Sequence, residues 1–444
     1  MHAGSRIDAI WPPAVFGAVA DLLEAPGREV AAAGEAEPAL ALLAALQAAD
    51  AAPNERADLA RLLRVAASFE RAFTLVSGDA PGLAVAGGEL RPPFGARSAG
   101  VSGVGLTLRE ALLACIGEGV EFLSQFATVG EEGAILPLAT ALAGAPAGMV
   151  TLLGQIAGNE IDLEAAPLSW SRGRRLANGA PVWVPTDLCL RRPQAQCQLS
   201  IPWPLSTGCG AGASFAEACR HGLLELVERD AVARWWQGAL PARLLAAGSA
   251  GSVAVESTLA HLRPGGTQRT TWVLDLTSGF SVPVAAAVAC NADGFGACFG
   301  FAADCTLAGA VRGALLELCQ MELAHAVVMA KRAERGEAAW NAVDRRHARR
   351  YAELDTRRCP VLRAHPPAGT GCDVPAGDAD GELAELVRRL TAHGLDPCVV
   401  DLTRPEFGVA VARVICAGLR PHPDWPPYAS RDDESYCHRD VPLL

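Results

Sequence analysis

The sequence predicts an α/β (α+β) fold preceded by a helical N-terminal extension, on three observations. Residues 1–95 are rich in Ala and Leu at helical spacing, as in "PALALLAALQAAD" and "RADLARLLRVAASFERAF", and close on the turn signals "SGDAPG" and "GGELRPPFG". From residue 96 to 444 strand pairs alternate with helices, which reads as a second, larger domain. A weak repeat runs through that domain: "WVLDLTSGFSVPVAAAVAC" (272–290) and "VVDLTRPEFGVAVARVIC" (399–416) each show a strand ending Asp-Leu-Thr, a turn and a second strand. "LANGAPVWVPTDLC" (176–189) reads as a third, poorer copy, each copy being a hairpin with a buried Val/Ala face.

Between these hairpins lie helices. Residues 134–158, "AILPLATALAGAPAGMVTLLGQIAG", carry no charge and are long enough to span a bilayer. Pro137, Pro146 and the acidic flank favour a buried helix-turn-helix instead, so no membrane is expected as a partner. Three further helices, in 111–126, 221–236 and 311–327, are apolar nearly all round.

Composition narrows the chemistry. Half of the 444 residues are hydrophobic and a fifth are charged, enough for a sizeable core. The net charge of −11, with no basic block interleaved with aromatics, argues against nucleic acid, whose phosphates need a basic surface. Lys331 is the single lysine, so neither a phosphate-loop GxxxxGK[ST] nor a kinase lysine can be written. The 14 cysteines form no C-x-x-C and no zinc spacing; Cys115, Cys219, Cys290, Cys319 and Cys416 sit in apolar patterns as small hydrophobes. With no signal-peptide pattern at the start, these features point to the reducing cytoplasm.

The apolar helices carry the chemical signal. "ALLACIGEGVEFLSQF" holds Glu118 and Glu121; "HGLLELVERDAVARWW" holds Glu225, Glu228, Arg229 and Asp230, with Glu217 one segment earlier; "VRGALLELCQMELAHAV" holds Glu317, Gln320 and Glu322. A spacing of i, i+3 sends both members of a pair from the same face of a helix. Two readings stay open: ordinary carboxylates paired with nearby arginines, or a polyanion site in which magnesium bridges the acids to phosphate and Arg229 serves as clamp or counter-ion. The second explains why the acids are the long polar groups of otherwise apolar helices, since crowded carboxylates need cations between them.

The same residues carry a resemblance. "STGCGAGASFAEACRHGLLELVERDAVARWW", with its Gly-rich lead-in and Glu-x-x-Glu-Arg-Asp, resembles the signature helix of the YcaO family. "GVGLTLREALLACIGEGVEF" is similar to that family's first helix and "CTLAGAVRGALLELCQ" to its third, and the likeness runs from about residue 96 to 422. It implies ATP and Mg2+ as cofactors, held by Glu118, Glu121, Glu217, Glu225, Glu228, Arg229, Glu317 and Gln320, with Glu118, Glu121, Glu225, Glu228 and Glu317 on the metal. It names no catalytic residue in this chain. The implied reaction phosphorylates a backbone amide oxygen of a ribosomally made precursor peptide, after which a Cys, Ser or Thr side chain closes a thiazoline or oxazoline; other members make thioamides or amidines.

The resemblance also implies a separate protein that captures the leader peptide, with residues 1–95 as a docking surface, and is compatible with a homodimer. The chain departs from the family pattern at Val104, Phe122 and Ala213, where a Lys, an Arg and an Asn are usual, which leaves room for a degenerate scaffold that binds without turnover. Its tail, "SYCHRDVPLL", lacks the proline-rich ending of azoline-forming members, and "PHPDWPP" (421–427) reads as a turn-rich linker before a frayed end. "CHRD" (437–440) matches a kinase fragment only by chance. His221 is read as a phosphate contact or a satisfied buried histidine, and Trp235 and Trp236 as core.

Overall fold

A computed structural model of the chain describes residues 6–25, 36–46, 52–94, 98–158, 161–163, 168–367, 373–423, 425 and 443. The N-terminal part runs β1 (Arg6–Trp11), α1 (Pro13–Glu24), α2 (Ala36–Ala45), α3 (Pro53–Ala66), β2 (Arg71–Val76), β3 (Ala84–Leu90) and β4 (Ala99–Gly105). Next come α4 (Leu108–Ser124), β5 (Ala134–Ile135), α5 (Leu138–Leu142), α6 (Met149–Ala157), β6 (Ser169–Arg175), β7 (Pro181–Pro185), β8 (Cys209–Gly212) and α7 (Phe215–Trp236). The rest is α8 (Ala250–Leu262), β9 (Thr270–Asp275), β10 (Val284–Cys290), β11 (Cys298–Ala303), α9 (Leu307–Arg335), α10 (Ala342–Glu353), α11 (Ala379–Thr391), β12 (Cys398–Asp401) and β13 (Ala410–Ile415).

The mixed helix-and-strand class expected from the sequence is the observed one. The strands form three sheets, in the orders β1-β2-β3-β4, β11-β10-β9 and β5-β6-β12-β13-β8, with β7 added to β6. The described residues of 6–94 hold the expected helices, α1, α2 and α3, but also β1, β2 and β3, which pair onward to β4 across residue 95. The helical reading of "RADLARLLRVAASFERAF" therefore ends at Ala66: from Arg71 exposure alternates in and out along the chain, the period of a strand.

The two better repeat copies are the antiparallel hairpins β9–β10 and β12–β13. The third is displaced. Its "LANG" is the turn of β6–β7, and the partner strand lies upstream at 169–175. Residues 138–157 do form a helix-turn-helix, buried on one face by Met149, Leu152 and Leu153 while Val150 stays exposed. Among the described residues one helix, α9, is long and apolar enough to cross a membrane, and it packs along β10 and β11.

Three strand–helix units build the centre: β4 into α4, β8 into α7 and β11 into α9. Each strand is the edge of its sheet, and each helix starts on a hydroxyl cap. Thr107, Ser214 and Thr306 accept from the backbone N–H three residues on, at 3.2, 3.1 and 3.0 Å. Helix and strand then press backbone to backbone. A Cβ on Gly103 would stand 2.2 Å from Cys115 N, and one on Gly210 2.4 Å from Ala218 O, so only glycine fits either position.

α7 lies between two sheets, touching β8 and β13 on one side and β10 and β11 on the other. Its Trp235 and Trp236 pack with Phe299 and Phe301, and Trp235 Nε1 donates to Val361 O at 2.8 Å, so both tryptophans are core, as read from the sequence. Cys115, Cys219, Cys290, Cys319 and Cys416 are buried, and burial pushes the Cys115 thiol up to about 12.

Gly210→Val should destabilise the chain by about 1–3 kcal/mol, the usual cost of overpacking, by forcing α7 off β8. Gly154→Ala, on a helical position with open space around it, should be neutral or stabilising. Thermal denaturation of the two variants measures the contrast.

Candidate functional site

The three capped helices bring their acids to one place because the acids share an offset. Glu118 and Glu121 follow Thr107 by 11 and 14 residues; Glu225 and Glu228 follow Ser214, and Glu317 and Gln320 follow Thr306, by the same 11 and 14. Equal offsets on helices sprung from three edge strands put all six side chains at equivalent depths. They line a single cavity of about 610 Å³, together with Ser102, Val104, His221 and Arg229.

Edge strands expose unpaired N–H groups, and here the glutamates take them. Ala211 N donates to Glu121 Oε1 at 2.7 Å, Phe301 N to Glu317 Oε2 at 2.5 Å, and Gly208 N to Glu225 Oε2 at 2.9 Å. Gln320 Nε2 donates to Ser102 Oγ at 2.9 Å, tying α9 to β4. Arg229 is the cavity's counter-ion, but a loose one, 3.5 Å from Glu225 and 3.6 Å from Glu228.

One guanidinium faces five carboxylates, and their proton affinities show the strain. Glu118 is pushed up to about 7 by burial and by Glu225 and Glu317, against the pull of Arg229. Burial pushes Glu228 up to about 8; Arg229 opposes this, and Glu317 and Glu225 add to it. Glu121 and Glu317 are raised as well, burial first, with the Ala211 and Phe301 N–H groups acting the other way. Burial works against the charge on Arg229, yet Glu228, Glu225 and Glu317 hold it above its ordinary value.

The sequence reading placed these acids in the interior; in fact they line a cavity that water enters. Glu118 is the most solvent-open of the five and the other four are half-buried, yet the protein packed around each carboxylate still withholds much of its hydration. The apolar residues around them belong to the helix faces turned toward the sheets.

The donor set suits magnesium. Its ligands would be hard carboxylate oxygens, and no hydrogen bond among the described residues steadies Glu118. Among the described residues no three His, Cys, Asp or Glu side chains close into a ready-made cage. Mg2+ has no need of one, because it keeps waters and phosphate oxygens beside one or two carboxylates.

Glu217 stands apart from the expected set. It does not line the cavity; its Oε2 accepts from Ala213 N at 2.8 Å and its Oε1 lies 3.6 Å from Arg220. Glu110 does the same at the start of α4, accepting from Leu106 N at 2.9 Å, also three residues after the cap. The geometry of Glu217 is that of a helix-capping side chain.

Of the positions that depart from the family pattern, Val104 forms part of the cavity wall, and Phe122 turns to Phe126, 5.1 Å between rings, under the Arg191 guanidinium. Ala213 lends only its N–H, to Glu217. His221 is satisfied, with Nδ1 2.8 Å from Ala211 O, but it is exposed at the cavity edge and not buried.

A second chamber of about 670 Å³ adjoins the first, sharing Ser206, Glu225, Arg229, Phe301 and Glu317 as its wall. Trp203, Met321, Arg346, His347 and Arg350 line its far side. The sequence reading missed this chamber: α10 is strongly basic, "AVDRRHARRYAE", but nothing local says which acids it faces. Leu443 is buried here, its carbonyl accepting from Arg350 Nη1, so the expectation of a frayed end does not hold at that residue. "CHRD", Pro442 and residues 424, 426 and 427 of "PHPDWPP" lie outside the described residues.

Comparison with known proteins bears on the fold and the family. No curated protein matches the sequence. Among solved structures, a heterocyclase in complex with substrate and cofactor aligns at 22% identity and a TM-score of 0.56, over 76% of this chain and 48% of its own, so the chain spans about half the length of that protein. The YcaO protein of Methanopyrus kandleri bound with AMPPCP and Mg2+ aligns at 21% identity and 0.55, over 79% of this chain and 85% of its own. The E. coli microcin synthetase McbBCD complex aligns at 14% and 0.58, over 76% and 86%. At these identities the likeness is one of fold. The sequence family described as YcaO cyclodehydratase, binding ATP and Mg2+, matches residues 102–420, more than half of the chain. This chain therefore belongs to the YcaO cyclodehydratase family, whose cofactors are ATP and Mg2+.

Proposed function

We propose that this chain uses ATP and Mg2+ to activate backbone amides of a ribosomally made precursor peptide, cyclodehydrating Cys, Ser or Thr to thiazoline or oxazoline. The observation that carries the reading is the convergence of three helices' acids, at one common offset, on a cavity with a single arginine. When bound, ATP supplies the phosphoryl group that turns an amide oxygen into a leaving group, and Mg2+ neutralises phosphate charge. Glu118, Glu121, Glu225, Glu228 and Glu317 would hold the metal, and Arg229 would sit against the phosphates.

The second chamber would receive the peptide. It opens onto the first across Glu225, Arg229 and Glu317, and its Trp203, Phe299 and Met321 offer apolar contact to a side chain while excluding water. A peptide capture partner and docking on residues 1–95 belong to the same proposal, as does a reducing cytoplasm, which suits the free thiols of the twelve described cysteines.

A binding scaffold without turnover is the second reading, favoured by Val104 in the cavity wall. Incubating the chain with its precursor peptide, ATP and Mg2+ separates the readings by mass. Loss of one water per modified residue supports cyclodehydration, exchange of oxygen for sulfur indicates a thioamide former, and an unchanged peptide with unhydrolysed ATP leaves the scaffold.

Two measurements address the cavity itself. In calorimetric titration, Mg2+-dependent binding of an ATP analogue should weaken by about 100-fold or more in the Glu225→Ala, Glu228→Ala double variant, since it removes direct metal ligands. Acids whose folded pKa lies above the unfolded value contribute stability at low pH that is lost as pH rises. Thermal stability without Mg2+ should therefore fall between about pH 5 and 8, the window between an unperturbed Glu and the raised Glu118 and Glu228. Glu118→Gln with Glu228→Gln should flatten that fall, and saturating Mg2+ should offset it.

A further inference from the structure

Arg413, on β13, is 2% exposed, with no carboxylate at ion-pair distance among the described residues. Its guanidinium is spent on two backbone carbonyls instead: Nε donates to Leu188 O at 2.9 Å and Nη1 donates to Thr207 O. A buried cation whose hydrogen-bond partners are neutral carbonyls is costly, and here burial pulls Arg413 below its ordinary value while Glu225, beyond the carbonyls, acts the other way.

The second carbonyl explains the expense. Thr207 C=O and Gly208 N–H are the two ends of one peptide group, and Gly208 N donates to Glu225 Oε2 at 2.9 Å. The cation thus stands on one side of a single peptide dipole and the cavity carboxylate on the other. A charge at the oxygen end polarises the N–H, so the bond to Glu225 is strengthened and held in one direction.

The peptide groups on either side of it are pinned, which holds this one in place. Val414 N donates to Gly208 O at 2.7 Å, Thr207 N donates to Pro204 O at 3.1 Å and Cys209 N to Ser206 O at 2.8 Å, closing a tight turn. Gly208 has a φ of 85°, and a Cβ there would stand 2.5 Å from Val414 O, so the turn admits glycine alone. Glu225 divides its oxygens, Oε2 to this peptide and Oε1 toward Arg229 at 3.5 Å. The Arg229 contact is loose and can be traded for a metal; the Gly208 contact fixes the carboxylate while that happens.

We propose that Arg413 is a positioning residue for Glu225, acting through the Thr207–Gly208 peptide group to set how strongly the cavity holds Mg2+. The proposal rests on the reading of Glu225 as a metal ligand. Lysine would not replace it, because an ammonium lacks the planar fork that reaches two carbonyls in different directions.

The test is a double-mutant cycle read as the Mg2+ concentration for half-maximal binding of an unhydrolysable ATP analogue. Arg413→Met should raise that concentration by about tenfold, Arg413→Lys by about threefold, and neither should add to the effect of Glu225→Gln, because coupled residues are non-additive. Binding of the analogue without Mg2+ should stay within about twofold of the original, which a general loosening of the fold would not allow. If Arg413→Met does not fold, the cycle with Arg413→Lys carries the same decision. Additive effects, or an unchanged Mg2+ requirement in the folded Arg413 variant while Glu225→Gln shifts it, would overturn the proposal. A Glu225→Gln protein with the original Mg2+ requirement would instead overturn the reading of Glu225 as a ligand.

Discussion

Repulsion among five carboxylates around one arginine is the constraint on which the rest of this molecule depends. Such a cavity is unfavourable in an empty protein, and the fold spends much of its architecture holding it open. Edge strands β8 and β11 donate backbone N–H groups to Glu121 and Glu317, and the turn that precedes β8 donates one to Glu225, which satisfies the backbone and aims the acids with the same bonds. Hydroxyl caps start the three helices in register, and glycines on β4 and β8 let α4 and α7 lie close enough for their acids to meet. A cation bridging the carboxylates would relieve the repulsion, so what destabilises the empty protein is what favours the loaded one.

The surrounding arginines serve the same end by tying elements that share no sequence neighbourhood. Arg404 donates to Ser124 O and Phe126 O at 2.9 and 2.8 Å, closing the C-terminal end of α4, which carries Glu118 and Glu121. Arg263 and Arg269 converge on Glu322, 2.5 and 2.6 Å away, which explains why that second acid of α9 stays out of the cavity. A chain with one lysine uses arginine throughout because a planar fork can bind two carbonyls or a carboxylate in a buried place.

Much of the site was legible in one dimension. The i, i+3 pairs mark the shared helix faces, and a common distance of each pair from its Thr or Ser cap is present in the sequence, although the reading overlooked it. Glu217 lies outside the cavity wall for a physical reason: a glutamate three residues inside a helix start can bind the preceding backbone N–H, as Glu110 also does. The strands at 6–11 and 71–76 were missed because each is six residues long, too short for its pattern to stand out beside Ala/Leu-rich helices, and the strand at 84–90 because its Ala- and Gly-rich sequence carries little periodicity.

By itself the sequence determined which residues are acidic, which helix faces they share, where the helices begin and which glycines precede them; all are local matters of spacing and propensity. Only the tertiary structure decided that three sheet edges meet, and so that the acids form one cavity instead of three salt-bridged surfaces. It also set the basic α10 across from them and Arg413 behind the Gly208 turn. Those placements depend on contacts between residues hundreds of positions apart, and a one-dimensional pattern carries no term for them.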